Sequence, residues 1–511
     1  MDSQQANGNF SRRDFLKFLG VNMGLTAFYL SGCSKLTSKI SPSQSFDFKA
    51  LAPSSLDQLS LPEGFDYEII RSWKDPINSS ENFGINNDYI AFFELEDKSK
   101  ALLWVNHEET NNELIPDYEE QRKSVGGSVI AIEKRNGKWS FSNDQTLQEK
   151  YNCRYDANSP VTFSGPAASL LGSYKGTLAN CSGGVTPWNT VLTCEENFIY
   201  FPEKYGWKDF EEKYYGWVVE IDPYQKHSTP VKHTALGRFA HENAAPVISK
   251  KQKLVVYMGD DTSNEHLYKY VSHGTYKGEK NASPLLEHGD LYVAKFDEDT
   301  KKGTWELLSV TDPKLGSIFS SQGELLLETR KAAKLLGATE LNRPEDIEIS
   351  PYDASVFVAQ TRNPTKNDHY GSILRLKEKN NDHAALEFSY EYFLHGAKEA
   401  SLACPDNLAF DDKGNLWVAT DISGLDINNE IYKYHGNNAL YMIPLKGTEA
   451  GQAKRFVIAP NGAELTGPCF SSDYKTLFLS VQHPGEGVHS TWPDGAKSSV
   501  VAIDLERKSQ K

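Results

Sequence analysis

The 511-residue sequence has no Cys-x-x-Cys pair, which excludes a zinc ribbon and a thioredoxin-like redox site. It has no Gly-x-Ser-x-Gly string and no Walker-type glycine loop, so neither a serine nucleophile elbow nor a P-loop is available. Positive charge is in deficit: 54 Lys and Arg face 69 Asp and Glu, a net charge of -15. A phosphate backbone needs a basic surface, so a nucleic-acid partner is excluded. The apolar stretch from Phe18 to Leu30 is shorter than the ~20 residues that cross a bilayer. Beyond it no helical periodicity is sustained except over 320–336, where a helix is expected.

What the chain does have is 12% aromatic residues and 37 glycines, a composition that suits many short strands joined by tight turns. Its first residues read as an address. Ser11-Arg12-Arg13-Asp14-Phe15-Leu16-Lys17 is a twin-arginine pattern, the apolar run follows, and Leu30-Ser31-Gly32-Cys33 has the form of a lipoprotein processing box. The expected organisation is a signal peptide over 1–33, a Ser/Pro-rich tether over 34–60, one β domain over 61–505 and a tail over 506–511. The twin-arginine machinery would export the protein, as a periplasmic protein or as a membrane-anchored or extracellular lipoprotein with its lipid on Cys33. If Cys33 is lipidated, five cysteines remain, and an odd number leaves at least one thiol unpaired.

A unit then recurs: a polar signature, a short strand, a turn, a β-rich strand, and a polar cluster at that strand's end. The clearest copies run from Pro405-Asp406-Asn407 to Thr420-Asp421, from Arg343-Pro344-Glu345 to Gln360-Thr361-Arg362, and from Gly467-Pro468-Cys469 to Gln482-His483. Looser copies run from His241-Glu242-Asn243 to Asp260-Asp261, from Asn180-Cys181-Ser182 to Cys194-Glu195-Glu196, and from Asn86 to Asn106-His107-Glu108-Glu109. A lone copy cannot bury both faces, and radial packing of copies solves that, so the expected fold is all-β: a six-bladed β-propeller with a few short helices in insertions.

In such a fold the shared ends of the innermost strands converge on the axis. They carry Glu108, Glu109, Cys181, Glu195, Glu196, Glu242, Asp260, Asp261, Glu345, Glu348, Asp406 and Asp421. Carboxylates gathered without cations would repel and raise one another's pKa values, and hard cations relieve this. Cys181 adds a thiolate, which suits a transition metal such as iron. Arg343, beside Glu345, either neutralises that carboxylate or awaits an anion. His107, His241 and His483 adjoin these clusters, and each is as readily structural as functional.

At these residues the chain resembles the PhoX family of secreted alkaline phosphatases. The matching strings include Asn106-His107-Glu108-Glu109, Asn180-Cys181-Ser182-Gly183-Gly184, Thr193-Cys194-Glu195-Glu196-Asn197, Gly237-Arg238-Phe239-Ala240-His241-Glu242, Gly259-Asp260-Asp261, Arg343-Pro344-Glu345, Pro405-Asp406-Asn407-Leu408 and Gln482-His483-Pro484-Gly485. The resemblance implies hydrolysis of small phosphate esters at a mixed Fe3+ and Ca2+ cluster. It implies Cys181, Glu242 and Glu345 as iron ligands, and Arg343 as the residue holding phosphate. Glu108, Glu109, Glu195, Glu196, Asp260 and Asp421 are the candidates for calcium and outer positions. Two rivals share the fold: a calcium-dependent lactonase or esterase, and a non-catalytic binding propeller stabilised by calcium.

Overall fold

The computed structural model describes residues 47–507 apart from 209, 400, 401 and 428. The twin-arginine pattern, Cys33 and the first part of the expected tether lie outside the described residues. Most of the structure is β-sheet, with few and short helices. Each of the six repeat copies forms an antiparallel hairpin. These pair Asn87–Glu94 with Lys100–His107, Asn180–Val185 with Val191–Glu195, and Ala245–Ile248 with Leu254–Gly259. They also pair Pro344–Ile349 with Val356–Gln360, Pro405–Phe410 with Asn415–Thr420, and Glu464–Phe470 with Thr476–Gln482.

The second strands are buried on both faces, and their sequences show it. Leu102, Leu103, Trp104 and Val105 are all inaccessible, as are Leu416, Trp417 and Val418. Strands farther out alternate: in Glu387–His395, Phe388 and Tyr390 are buried while Glu387, Ser389 and Glu391 are exposed. The core lies between neighbouring sheets. Trp104 and Val129 of one sheet share a cluster with Val191 and Val219 of the next, and Val255 and Tyr257 share another with Val356 and Val358.

Among the described residues the hydrogen-bonded sheets number five, because two of the meanders join edge to edge into nine strands through Lys302–Leu307 and Glu387–His395. The leading strands of the hairpins pack on one another in cyclic order, the last, Glu464–Phe470, against the first, Asn87–Glu94. Asp66–Ser72 pairs antiparallel with Ser499–Asp504, so the two ends of the β region share one sheet.

Polar side chains tie most of the hairpins to their neighbours. Asn106 Nδ2 donates to the Cys181 carbonyl at 2.7 Å, Asn243 Nδ2 to the Ile347 carbonyl at 2.9 Å, and Ser480 Oγ to the Asp88 carbonyl at 2.6 Å. The Leu408 amide donates to Asp346 at 2.8 Å and the Gly467 amide to Asn407 at 2.7 Å.

The helix expected over 320–336 is two helices, Gln322–Leu327 and Thr329–Leu336, broken at Glu328 with φ -115° and ψ 40°. Ser321 caps the first by accepting from the Glu324 amide, and Gly337 ends the second in the left-handed region. All described cysteines are free thiols, so Cys194 is a core residue and takes no part in a disulfide.

Candidate metal centre and active site

The site grows out of a repeated irregularity. In each hairpin the register slips by one residue near the same end. The slip follows the pairs Asn87 with His107, Asn180 with Glu195, Pro344 with Gln360, Pro405 with Thr420, and Thr466 with Ser480. In the remaining hairpin an isolated bridge joins His241 to Asp260 ahead of the regular ladder. A bulge re-aims the side chain that follows it. The residues at this shared position are Asp88, Cys181, Glu242, Glu345, Asp406 and Gly467. On the partner strands, the residue after each pair is Glu108, Glu196, Asp261, Thr361, Asp421 or Val481.

Five of those first positions carry metal-capable side chains, and the structure brings them together. Asp88, Glu108 and Cys181 form one group, Cys181, Glu196 and Glu242 a second, and Glu242, Glu345 and Asp406 a third, with ligand atoms in each within 4.8 Å of one another. All of these residues are buried. Cys181 and Glu242 each belong to two groups, so the three form a continuous line.

Burial, followed by the repulsion of neighbouring acids, pushes the carboxyl groups of Asp88 and Glu242 well above the usual carboxylate range. The same two causes hold the Cys181 thiol well above its ordinary value. Asp88 Oδ1 and Glu242 Oε1 are buried without a hydrogen-bond partner. Buried oxygens left unpaired amid like charges are what a bound cation relieves, so the donor set fits metal ions.

Arg343 stands beside this line, its backbone in the left-handed region at φ 53°. Its Nε and Nη2 donate to Asp261 at 2.9 and 2.7 Å, and Nη2 lies 2.9 Å from Glu345. Nη1 reaches only to 3.6 Å from Asp421, beyond hydrogen-bond range. Burial alone would lower its pKa, but Asp261, Glu345 and Asp421 outweigh that and hold it well above the usual value. Thr361 donates to Glu345, while Asn197 and Gln482 donate to Glu108 at 3.0 and 2.7 Å, so these two carboxylates are held in place.

The model of the alkaline phosphatase PhoX family matches residues 46–485. This chain belongs to the PhoX family of alkaline phosphatases, metal-dependent hydrolases of phosphomonoesters. Among solved structures it is similar to Pseudomonas fluorescens PhoX in complex with vanadate, a transition-state analogue. That match has 32% identity and a TM-score of 0.82, covering 89% of this chain and 97% of that one. A gluconolactonase from Xanthomonas campestris matches at 9% identity with a TM-score of 0.37, covering 90% of this chain and 98% of that one. Among curated proteins nothing matches. The family match over residues 46–485, with the 32%-identical PhoX structure, decides for the phosphatase reading over the lactonase and binding-propeller readings.

Within this PhoX chain the sequence candidates divide. Cys181, Glu108, Glu196, Glu242 and Glu345 meet in the line of groups, with Arg343 at its side. Glu195, Asp260, Glu109 and Asp421 stand outside those groups, each for a physical reason. Glu195 points into the protein and pairs at 2.7 Å with Lys232, both side chains fully buried. Asp260 is clasped by Arg330 through Nε at 2.8 Å and Nη2 at 2.5 Å. Glu109 turns outward to Lys204 at 2.7 Å. Asp421 faces Arg343.

Glu348, named among the converging carboxylates, instead lines a separate cavity of ≈ 830 Å3 with Tyr89, Gly183 and Gly184. His107 is buried against Ser128, and burial, then Arg154, holds its pKa well below the ordinary value; burial also holds His241 at a pKa of about 3, its ring stacked on Phe239, and neither histidine joins the line of groups. His483 lies 3.3 Å from Glu464.

The sequence reading did not select Asp88 and Asp406 as ligands, although they occupy the same bulge position as Cys181 and Glu345. Alignment of the six copies on the residue after the pair that precedes the slip is the signal that finds them. Glu464 was also missed. It sits two residues ahead of its own hairpin's slip, next to Asp406, and burial followed by Asp421 raises its pKa well above the carboxylate range.

Proposed function

We propose that this protein is an exported phosphatase that hydrolyses phosphomonoesters at an iron–calcium cluster on the axis of a six-bladed β-propeller. The observation that carries the reading is the buried line of groups in which Cys181 and Glu242 are each shared. A thiolate with carboxylates suits iron, and all-carboxylate surroundings suit calcium. On this reading Cys181, Glu242 and Glu345 hold iron. Asp88, Glu108, Glu196 and Asp406 complete the set and bound the calcium positions. The cyclic packing of the leading strands supports six blades, the joined nine-stranded sheet counting as two. Export rests on the Arg12-Arg13 pattern and lipidation on Cys33. Among the described residues no helix is long and apolar enough to cross a membrane.

When bound, the cations neutralise phosphate oxygens and charge developing on the leaving group. The chain's own residues do the positioning. Asp261 grips Arg343 by one edge and leaves Nη1 to donate to a phosphate oxygen, a charge-assisted hydrogen bond. Thr361 keeps Glu345 turned toward the axis, and Asn197 and Gln482 do the same for Glu108. Because Asp261 and Asp421 already balance the guanidinium, it stays charged at alkaline pH.

The test is Cys181→Ser, assayed for metal content and for hydrolysis of p-nitrophenyl phosphate. The expected result is loss of iron with a fall in turnover of more than about a hundredfold. Unchanged turnover with iron absent would overturn the reading.

A further inference from the structure

Away from the acidic line, a cavity of ≈ 590 Å3 opens between the segment 73–84 and the helix Tyr118–Ser124. Arg154 lines it. This arginine is 94% buried, being 6% exposed, and among the described residues it forms no ion pair. Its Nη2 caps the helix by donating to the Lys123 and Val125 carbonyls at 2.9 and 2.6 Å. Its Nη1 reaches Ser128 Oγ only at 3.4 Å, and its Nε has no partner at all. Burial lowers its pKa to about 10, so it is still a cation at neutral pH. A methyl group at Gly84 would collide with Arg154 Nη1 at 2.2 Å and with the His107 ring at 2.5 Å, so glycine is what admits the guanidinium here.

The acids around the cavity are already engaged. Glu120 pairs with Lys123 at 2.9 Å, and Asp117 caps the helix through the Glu120 amide. Glu81 accepts from the Arg154 amide, and Asp156 from Asn158 and Ser159. None of them comes within ion-pair distance of the guanidinium, although Asp156 and then Glu81 lie near enough to favour its charged form. Part of the wall is apolar: Trp73, Phe83 and Ile115 are buried, while Leu114 is left 51% exposed at the mouth. Lys74 adds a second cation, lying over the Trp73 ring at 4.0 Å.

We propose that this cavity is a second ligand site, separate from the metal line, for an oxyanion carrying an apolar body such as an aryl or alkyl phosphate or phosphonate. The oxyanion pairs with Nη1 of Arg154, the edge beside Gly84 whose only hydrogen bond is the long one to Ser128, and the apolar body lies against Trp73, Phe83 and Leu114.

Isothermal titration of the metal-loaded enzyme with phenylphosphonate, whose C–P bond is not a phosphate ester, tests the assignment. The wild type is expected to show two binding events. Glu242→Gln should lose the event at the metal line and keep the other. Arg154→Gln should weaken the cavity event at least about tenfold. Leu114→Trp fills the mouth from an exposed position, so it should abolish the cavity event while hydrolysing p-nitrophenyl phosphate at the wild-type rate. If Arg154→Gln does not fold because it loses its helix cap, Leu114→Trp decides alone. A single event in the wild type overturns the proposal, as does a second event that Leu114→Trp retains at wild-type affinity. Orthophosphate binding the cavity as tightly as phenylphosphonate would overturn the role of the apolar wall.

Discussion

The paired acids at the strand ends separate into two kinds of residue. In Glu195-Glu196 the first side chain is locked to Lys232 and the second joins Cys181 and Glu242. Successive side chains point to opposite sides of a strand, so one acid of a doublet faces the axis while its neighbour faces the protein. The two glutamates should therefore fail differently. Glu196→Gln is expected to lower turnover by about a hundredfold or more with little change in the urea midpoint. Glu195→Gln leaves Lys232 as a buried unpaired charge and should cost about 3–5 kcal/mol of stability. Activity assays and urea denaturation of the two variants check this. A second residue-scale case is Glu220. Burial alone would raise its pKa, but His233 at 2.9 Å, with Ser283 and Thr190, outweighs that and holds it at about 2, below its ordinary 4.5. A depressed carboxylate contributes stability above its unfolded pKa and loses it as pH falls toward the folded value. The shift corresponds to about 3 kcal/mol, lost between pH ~4.5 and ~2. Glu220→Gln should flatten the acid limb of the stability profile measured by chemical denaturation.

At the scale of strands and turns, the hairpins were legible because each polar signature precedes a strand such as Leu416-Trp417-Val418, whose uninterrupted apolar run marks burial on both faces. The phase of the side chains was not legible. It depends on a one-residue slip that no residue type announces, which is why Asp88 was not named and Asp406, named among the converging carboxylates, was not taken as a ligand, while Glu195 and Asp260 were. The edge pairing of Lys302–Leu307 with Glu387–His395 was also hidden, since these polar edge strands lie far apart in sequence. Gly467 shows how tightly the bulge position is built. Its φ is 56°, and an added Cβ would meet the Asp88 carbonyl oxygen and the Ile90 nitrogen at 2.7 Å, both of them backbone atoms. Gly467→Ala is expected to destabilise the fold by about 2–3 kcal/mol and to reduce turnover by displacing Asp88. Thermal melting and the phosphatase assay together check it, and unchanged values for both would refute the tight packing.

Across the whole molecule, the axis concentrates groups whose ionised forms the bare protein disfavours. Asp88, Glu242, Glu345, Asp406 and Glu464 are all raised, by burial first and by one another next, although Arg343 partly offsets the rise at Glu345. A carboxyl raised in the folded state gives its stabilisation below the unfolded pKa and loses it as pH rises through the folded value. Metal-stripped protein should therefore melt at a lower temperature at pH ~9 than at pH ~5, and bound cations should reverse that order because they favour the charged forms. The same accumulation of acid was visible in the sequence as a set of recurring signatures. The sharing of Cys181 and Glu242 between adjacent groups was not, because it depends on how neighbouring hairpins pack.

The most direct test is p-nitrophenyl phosphate hydrolysis by protein stripped with calcium and iron chelators, before and after each ion is returned alone and then both together. The account predicts loss of hydrolysis on stripping and recovery only with iron and calcium combined. Full activity in protein shown by elemental analysis to hold neither ion would contradict it.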